Sequence, residues 1–283
     1  MKIYNLNTES DFDQKKLCLT VGNFDGIHKG HQHIIKEVLR IADENKLNSS
    51  ILSFNPHPKV FFNKSIERFN ITTKEKKLNF LKKLGISYYL DFDFDLNLSS
   101  LSAEDFVELI IIKKLDVKII IIGEDFRFGK DRLGDLNLLN KLSKTYNFQV
   151  KVIQTLISKD NDEKYSSSNI RCLIKKGLFE EVNSSLGYFW DMKGSVIKGD
   201  QRARKMNFPT ANINPSDQIL PLKGVYCVNA IIDNNKYYGI SNFGERPTVD
   251  GSKLLLETHL FDFNDDIYGK ELTVEFLTFI RPE

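Results

Sequence analysis

From about residue 17 to 155 the chain alternates apolar runs of strand length with segments whose apolar residues recur at helical spacing, and near Gly187 that rhythm stops. Parallel strands need a crossover between neighbours, and strands buried on both faces read as continuous Ile, Leu and Val, so this alternation points to a parallel sheet covered by helices. Strands are predicted at 17–21, 50–54, 87–92, 117–122 and 149–153, and helices at 31–45, 74–84, 102–115 and 136–146. Within the first helix Ile34, Ile35, Val38, Leu39 and Ala42 form one apolar stripe.

After a short polar stretch and a helix over 169–176, short alternating segments separated by turns take over. Strands around 225–232, 254–261 and 272–279 suit a small antiparallel β-barrel, and Ile231 to Tyr238 reads as a hairpin because asparagine tolerates the positive φ of a tight connection. A chain of 283 residues exceeds what one core usually organises. The expected fold is therefore α/β plus all-β: a Rossmann-like, doubly wound parallel sheet over 1–185, then a barrel over 186–283.

Charge narrows the partners. Lys plus Arg number 40 against 38 Asp plus Glu and are scattered, which argues against a nucleic-acid platform. Cys18, Cys172 and Cys227 lie far apart with no disulfide or zinc spacing, and are expected to be reduced and mostly buried. Met1 to Leu6 lacks the apolar core of a signal peptide, and the runs at 110–112 and 119–122 are too short to span a bilayer. A cytoplasmic protein with small-molecule partners, and neither a nucleic-acid nor a membrane partner, is expected; the oligomeric state is not legible.

Ligands of doubly wound sheets bind beyond the carboxyl ends of the strands. Gly22 to His31 follows the first predicted strand, Asn55-Pro56-His57-Pro58 the second and Gly123 to Gly129 the fourth. A helix beginning near His31 aims unpaired N–H groups at that edge, where phosphates can lie. Gly22, Gly26 and Gly30 permit close approach, and His28 and His31 can donate to oxygens gaining charge. The spacing alone equally allows a metal-binding pair or a helix-end histidine with no task.

The string Gly22-Asn23-Phe24-Asp25-Gly26-Ile27-His28-Lys29-Gly30-His31 resembles the HxGH nucleotidyltransferase superfamily, in the form found in the adenylyltransferase module of prokaryotic bifunctional riboflavin kinase/FAD synthetases. Phe54 to Pro58, Gly123 to Gly129 and Ser166 to Arg171 match that module in order. The resemblance implies that the FMN phosphate attacks the α-phosphorus of ATP, giving FAD and pyrophosphate, with Mg2+ shielding the triphosphate. It further implies that His28, His31 and Arg171 are catalytic, that Gly22, Asn23, Phe24, Asp25, Gly30, Ser167 and Ser168 bind the nucleotide, and that Asn55, His57, Asp125, Phe126 and Arg127 serve the flavin. Asp125 stands where some relatives carry asparagine, and Ser168 where threonine is common, which would keep a helix-capping hydroxyl.

Residues 186–283 resemble the riboflavin kinase module through Gly199 to Asn212, with an intact Pro209-Thr210-Ala211-Asn212, and through Asn242 to Thr248 and Leu256 to Phe263. Thr210 and Asn212 offer hard oxygen ligands suited to Mg2+ on one side of an extended segment. By the resemblance Glu257 accepts the proton of riboflavin's terminal hydroxyl as it attacks the γ-phosphorus of ATP. Ala203 and Asn207 replace family glycines, and the chain stops at Glu283, short of the family's terminal helical segment. The expected function is phosphorylation of riboflavin and adenylylation of FMN. The rivals are an FAD synthetase with an impaired kinase barrel, a flavin or nucleotide sensor without turnover, and another HxGH transferase such as a lipid head-group cytidylyltransferase.

Overall fold

The computed structural model describes residues 1–8, 16–158, 163–197, 210–248 and 251–283. Contacts divide them into two compact units, Met1–Glu67 with Lys74–Tyr165, and Arg68–Thr73 with Ser166–Glu283.

In the first unit six parallel strands, β1 (Lys2–Asn5), β2 (Leu17–Val21), β3 (Asn48–Asn55), β4 (Tyr88–Asp93), β5 (Val117–Gly123) and β6 (Gln149–Ile153), lie in the order β1-β4-β3-β2-β5-β6. Alternate residues feed opposite faces: Leu17, Leu19 and Val21 enter one core, while Cys18 enters the other against Ile35, Val38, Ile41 and Ala42 of the helix Lys29–Glu44. Winding reverses at β2, whose neighbours are β3 on one side and β5 on the other, so the crevice of a doubly wound sheet falls beyond their carboxyl ends.

Two features of this unit differ from the pattern reading. Strand β1 was not expected: it is a four-residue edge strand whose Ile3 is half exposed, so it carries little apolar signal. The helix predicted at 102–115 forms, but Phe106–Lys114 is wound wide, with the Leu115 N–H donating to the Ile110 carbonyl at 3.1 Å. An apolar run without helical period held no sign of this.

The second unit is a closed antiparallel barrel, order β10-β11-β8-β7-β12-β9, built from β7 (Asp191–Ile197), β8 (Thr210–Ile213), β9 (Gly224–Ile232), β10 (Asn235–Thr248), β11 (Gly251–Leu260) and β12 (Glu271–Arg281). Asp233 and Asn234 both take positive φ, 50° and 67°, the geometry a two-residue hairpin requires. The helices Ser167–Lys176 and Phe179–Leu186 bury Ile170, Ile174, Phe179, Val182 and Leu186 in the barrel's core. By contacts this unit therefore takes in residues ahead of the 185/186 boundary read from the pattern.

The segment Arg68–Thr73 also belongs to the second unit, with Ile71 fully buried in its core. Its carbonyl accepts from Trp190 Nε1 at 2.8 Å and from Gln218 Nε2 at 2.9 Å. All three cysteines are free, but only Cys18 is buried; Cys172 is exposed, contrary to expectation, because it lies on the face of its helix away from Ile170 and Ile174. No helix among the described residues is long and apolar enough to cross a membrane.

Candidate functional site

The turn after β2 is built by unusual backbone. Phe24, Gly26 and Ile27 take φ of 49°, 81° and 35°, and the buried Phe24 and Ile27 side chains anchor it in the core. The helix then starts at Lys29, two residues earlier than the pattern suggested, with His28 as its N-cap: the His28 Nδ1 accepts the His31 N–H at 3.3 Å. That bond makes Nδ1 an acceptor and leaves the ring proton on Nε2. The His28 and His31 rings stack at 3.6 Å between centroids, 20° from parallel, and Phe24 packs on His31 at 5.0 Å.

Gly30 sits close against the His28 ring. A Cβ would stand 3.1 Å from His28 Nδ1 and 3.4 Å from Tyr165 Cβ, so a side chain would shift the imidazole by a few tenths of an ångström. The helix has no acidic residue in its first turn, where carboxylates commonly complement the dipole, so its positive end is left for an anion.

Asn23 ties this turn to the next strand tip, its Oδ1 accepting the Phe54 N–H at 3.2 Å, next to Asn55. The Asn55-Pro56 bond is cis, and His57 caps the short helix Pro58–Phe62 through Nδ1. Gly22 and Asp25 lie in the same turn, Asp25 buried. A residue the sequence did not single out joins them: Lys77 of the helix Lys74–Leu84 donates to the Asn23 carbonyl at 3.2 Å and to Ser53 Oγ at 3.4 Å. In a helix crowded with lysine nothing marks that one.

Beyond β5, the Lys164 ammonium hydrogen-bonds the Asp125 carboxylate and holds it below the usual carboxylate range. Phe126 stacks on Phe128 at 5.4 Å, and Arg127 reaches the carboxylate of Asp135 at 3.6 Å. Gly129, at φ 70°, passes so near Ala103 that a Cβ would stand 2.6 Å from its Cα.

The remaining predicted residues belong to the second unit. Ser167 and Ser168 open the helix Ser167–Lys176, but the capping hydroxyl is that of Ser166, which accepts the Asn169 N–H at 3.1 Å; the contact expected of Ser168 is made two residues earlier. Arg171 is 9% exposed, and its Nε donates to the Phe69 carbonyl at 2.9 Å.

In the barrel, strand pairing places Glu257 of β11 directly across from Asn212 of β8, and His259 across from Thr210. On the other side Asn242 of β10 pairs with Glu257. A cavity of about 450 Å³ is lined by Thr210, Asn242, Arg246, Glu257, His259 and Glu283, among others. Arg246 bridges carboxylates there, 2.6 Å from Glu257 and 3.0 Å from Glu283, and the hydrogen bond to Glu257 raises its pKa further. The sequence reading had Arg246 within a matched stretch but gave it no role; pairing sets it opposite Lys253, and its long side chain carries the guanidinium to Glu257.

The buried Asn212 Oδ1 meets no donor among the described residues, and the Thr210 hydroxyl is on the same side of β8. An unsatisfied amide oxygen beside a hydroxyl fits a hard divalent cation, which takes its remaining ligands from phosphate and water. The segment 198–209, with Ala203 and Asn207, lies outside the described residues.

The FAD synthetase family matches residues 10–169 and the riboflavin kinase family residues 186–283. Among curated proteins, the bifunctional riboflavin kinase/FMN adenylyltransferase of Buchnera aphidicola subsp. Schizaphis graminum is 38% identical over 94% of this chain and 86% of its own length. That of Escherichia coli K12 is 34% identical over 99% and 88%. A solved structure of a macrolide-efflux protein from Streptococcus pneumoniae superposes with a TM-score of 0.86 at 28% identity, covering 99% of this chain and 91% of that one.

Proposed function

Because the chain belongs to the family of bifunctional riboflavin kinase/FMN adenylyltransferases, we propose that different residues of the one polypeptide carry its two reactions. It phosphorylates riboflavin to FMN and adenylylates FMN to FAD, with ATP as donor in both.

For adenylyl transfer, an FMN phosphate oxygen attacks the α-phosphorus of ATP, the bond to the bridging oxygen breaks, and pyrophosphate leaves. No side chain needs to act as nucleophile. His28, through its Nε2 proton, His31 and the N–H groups opening the helix Lys29–Glu44 stabilise the charge that grows on the phosphoryl oxygens. Gly22, Asn23, Phe24, Asp25 and Gly30 shape the turn that receives the nucleotide; Ser167, Ser168 and Arg171 take the nucleotide roles that the family match implies. Asn55, His57, Asp125, Phe126 and Arg127 serve the flavin side.

For phosphorylation, riboflavin's terminal hydroxyl attacks the γ-phosphorus, its proton passes to Glu257, and ADP leaves. Arg246, at 2.6 Å, keeps the Glu257 carboxylate oriented. Thr210 and Asn212 would hold Mg2+, which neutralises phosphate charge when bound.

What supports this reading is a histidine-capped helix start at a sheet's switch point and, separately, a carboxylate paired across a barrel ladder with Asn212, two residues from Thr210. The test is incubation of the purified chain with ATP, Mg2+ and either flavin, followed by chromatography. FMN and FAD are expected from riboflavin, and FAD with pyrophosphate from FMN. Absence of FMN would remove the kinase assignment, and absence of FAD from FMN the transferase assignment.

A further inference from the structure

We propose that Lys77 is a positioning residue for adenylyl transfer, its ammonium holding the Asn23–Phe24 peptide in the orientation that keeps the Phe24 ring against His31. The inference rests on the role proposed above for the turn after β2, and every residue it uses lies in the first unit.

The helix Lys74–Leu84 packs on the sheet through the fully buried Leu81. Residues three or four apart share a helix face, so Lys74 and Lys77 lie on the side that Leu81 buries. Both reach strand tips. Lys74 pairs with the Asp91 carboxylate of β4 at 2.5 Å. Lys77 lies over the face of Tyr89, its Nζ 5.3 Å from the ring centroid, and donates to the Asn23 carbonyl at 3.2 Å and to Ser53 Oγ at 3.4 Å.

A charged donor makes the stronger kind of bond to a carbonyl, and this carbonyl belongs to a peptide in an unusual setting. Its rotation is governed by φ of Phe24, which is 49°, a region that bulky residues rarely take. Such backbone persists only where its surroundings over-determine it. Here the Gly22 N–H donates to the Leu52 carbonyl at 3.0 Å, the Asn23 Oδ1 accepts the Phe54 N–H at 3.2 Å, and Lys77 holds the Asn23 carbonyl. The first two bonds fix the start of the turn to β3; the third acts on the peptide that leads into Phe24.

Phe24 in turn packs on His31 at 5.0 Å between ring centroids, and His31 stacks on His28 at 3.6 Å. Rotation of the Asn23–Phe24 peptide would carry the Phe24 ring away from the histidines. Groups that stabilise charge in transit work by being in place beforehand, so a small misplacement lowers turnover more than binding.

The experiment compares Lys77→Met and Lys77→Arg in the full chain, with Lys77→Met also made on a Phe24→Leu background. It measures kcat and KM for FAD formation from FMN and ATP and, in the same preparation, FMN formation from riboflavin. Methionine keeps an apolar stem over Tyr89 without a donor; arginine keeps a charged donor. Lys77→Met is expected to lower kcat for FAD formation about tenfold with the KM for ATP within about twofold. Lys77→Arg should stay within about threefold of the native chain, and riboflavin phosphorylation should be unchanged in both. Phe24→Leu should itself lower kcat, and adding Lys77→Met should cost less than about twofold more, because the ring that Lys77 steadies is already gone. Full FAD formation by Lys77→Met, a raised KM for ATP with kcat kept, an equal loss in both reactions, a loss in Lys77→Arg as large as in Lys77→Met, or an additive loss on the Phe24→Leu background would each overturn the proposal. Undiminished FAD formation by His31→Ala would instead overturn the reading of the turn itself.

Discussion

Replacing His28 by asparagine separates the two tasks this histidine is given, capping a helix and stabilising phosphate charge. The capping bond is long, 3.3 Å from the His31 N–H to Nδ1, and asparagine is among the best N-cap residues. The fold should therefore change in stability by less than about 1 kcal/mol, a shift in melting of no more than about 4 °C for a unit of this size. The ring's Nε2 donor is lost, because the shorter amide spent on the cap does not reach as far. Removing one such donor from a site of developing charge costs about 3–4 kcal/mol of transition-state stabilisation, or roughly 100- to 1000-fold in kcat. The assay is FAD formation from FMN and ATP at saturating substrate, with riboflavin phosphorylation by the same preparation as the internal standard. A loss below about tenfold, or a parallel loss of phosphorylation, would refute the reasoning.

Other perturbations test other parts of the molecule. Glu257→Gln should abolish proton acceptance and lower riboflavin phosphorylation at least about 100-fold, leaving FAD formation from FMN intact, as read by the same chromatography. Trp190→Phe removes the bond from Nε1 to the Ile71 carbonyl and leaves a small void; together these cost about 2 kcal/mol, seen as melting lowered by about 4–8 °C, and an unchanged transition would argue against the bond's weight. Burial pushes the Cys18 thiol up to about 12 from 9.0, so above pH 9 the unfolded chain releases this proton first. The advantage of the native chain over Cys18→Ala in chemical denaturation should be full below pH 9 and shrink as pH rises from 9 toward 12; a widening gap would contradict the buried, neutral thiol.

The parts legible from sequence were those whose signal is local or periodic. Strands β2 to β5 are largely buried and so read as apolar runs, and the hairpin at Asp233 and Asn234 announced itself through residues that accept positive φ. The segment after β2 carried enough glycine and histidine to mark the turn proposed to hold phosphates. What stayed hidden depends on partners distant in the chain. Nothing near Ile71 says that its carbonyl will receive Trp190 and Gln218, so the transfer of Arg68–Thr73 to the barrel's unit was invisible. Arg246 and Lys77 are ordinary surface-type residues until the folded chain brings their side chains to Glu257 and to the Asn23 carbonyl. The capping role fell to Ser166 rather than Ser168 because three consecutive serines offer three starting points, and packing of Ile170 and Ile174 chooses among them.

The claim beneath the whole account is that two reactions run on separate residues of one chain. It is tested most directly by making His31→Ala and Glu257→Gln and supplying each, and then their mixture, with riboflavin, ATP and Mg2+. The first variant should accumulate FMN without FAD, the second should leave riboflavin untouched yet convert added FMN, and the mixture should restore FAD from riboflavin. Loss of both products in either variant would contradict it.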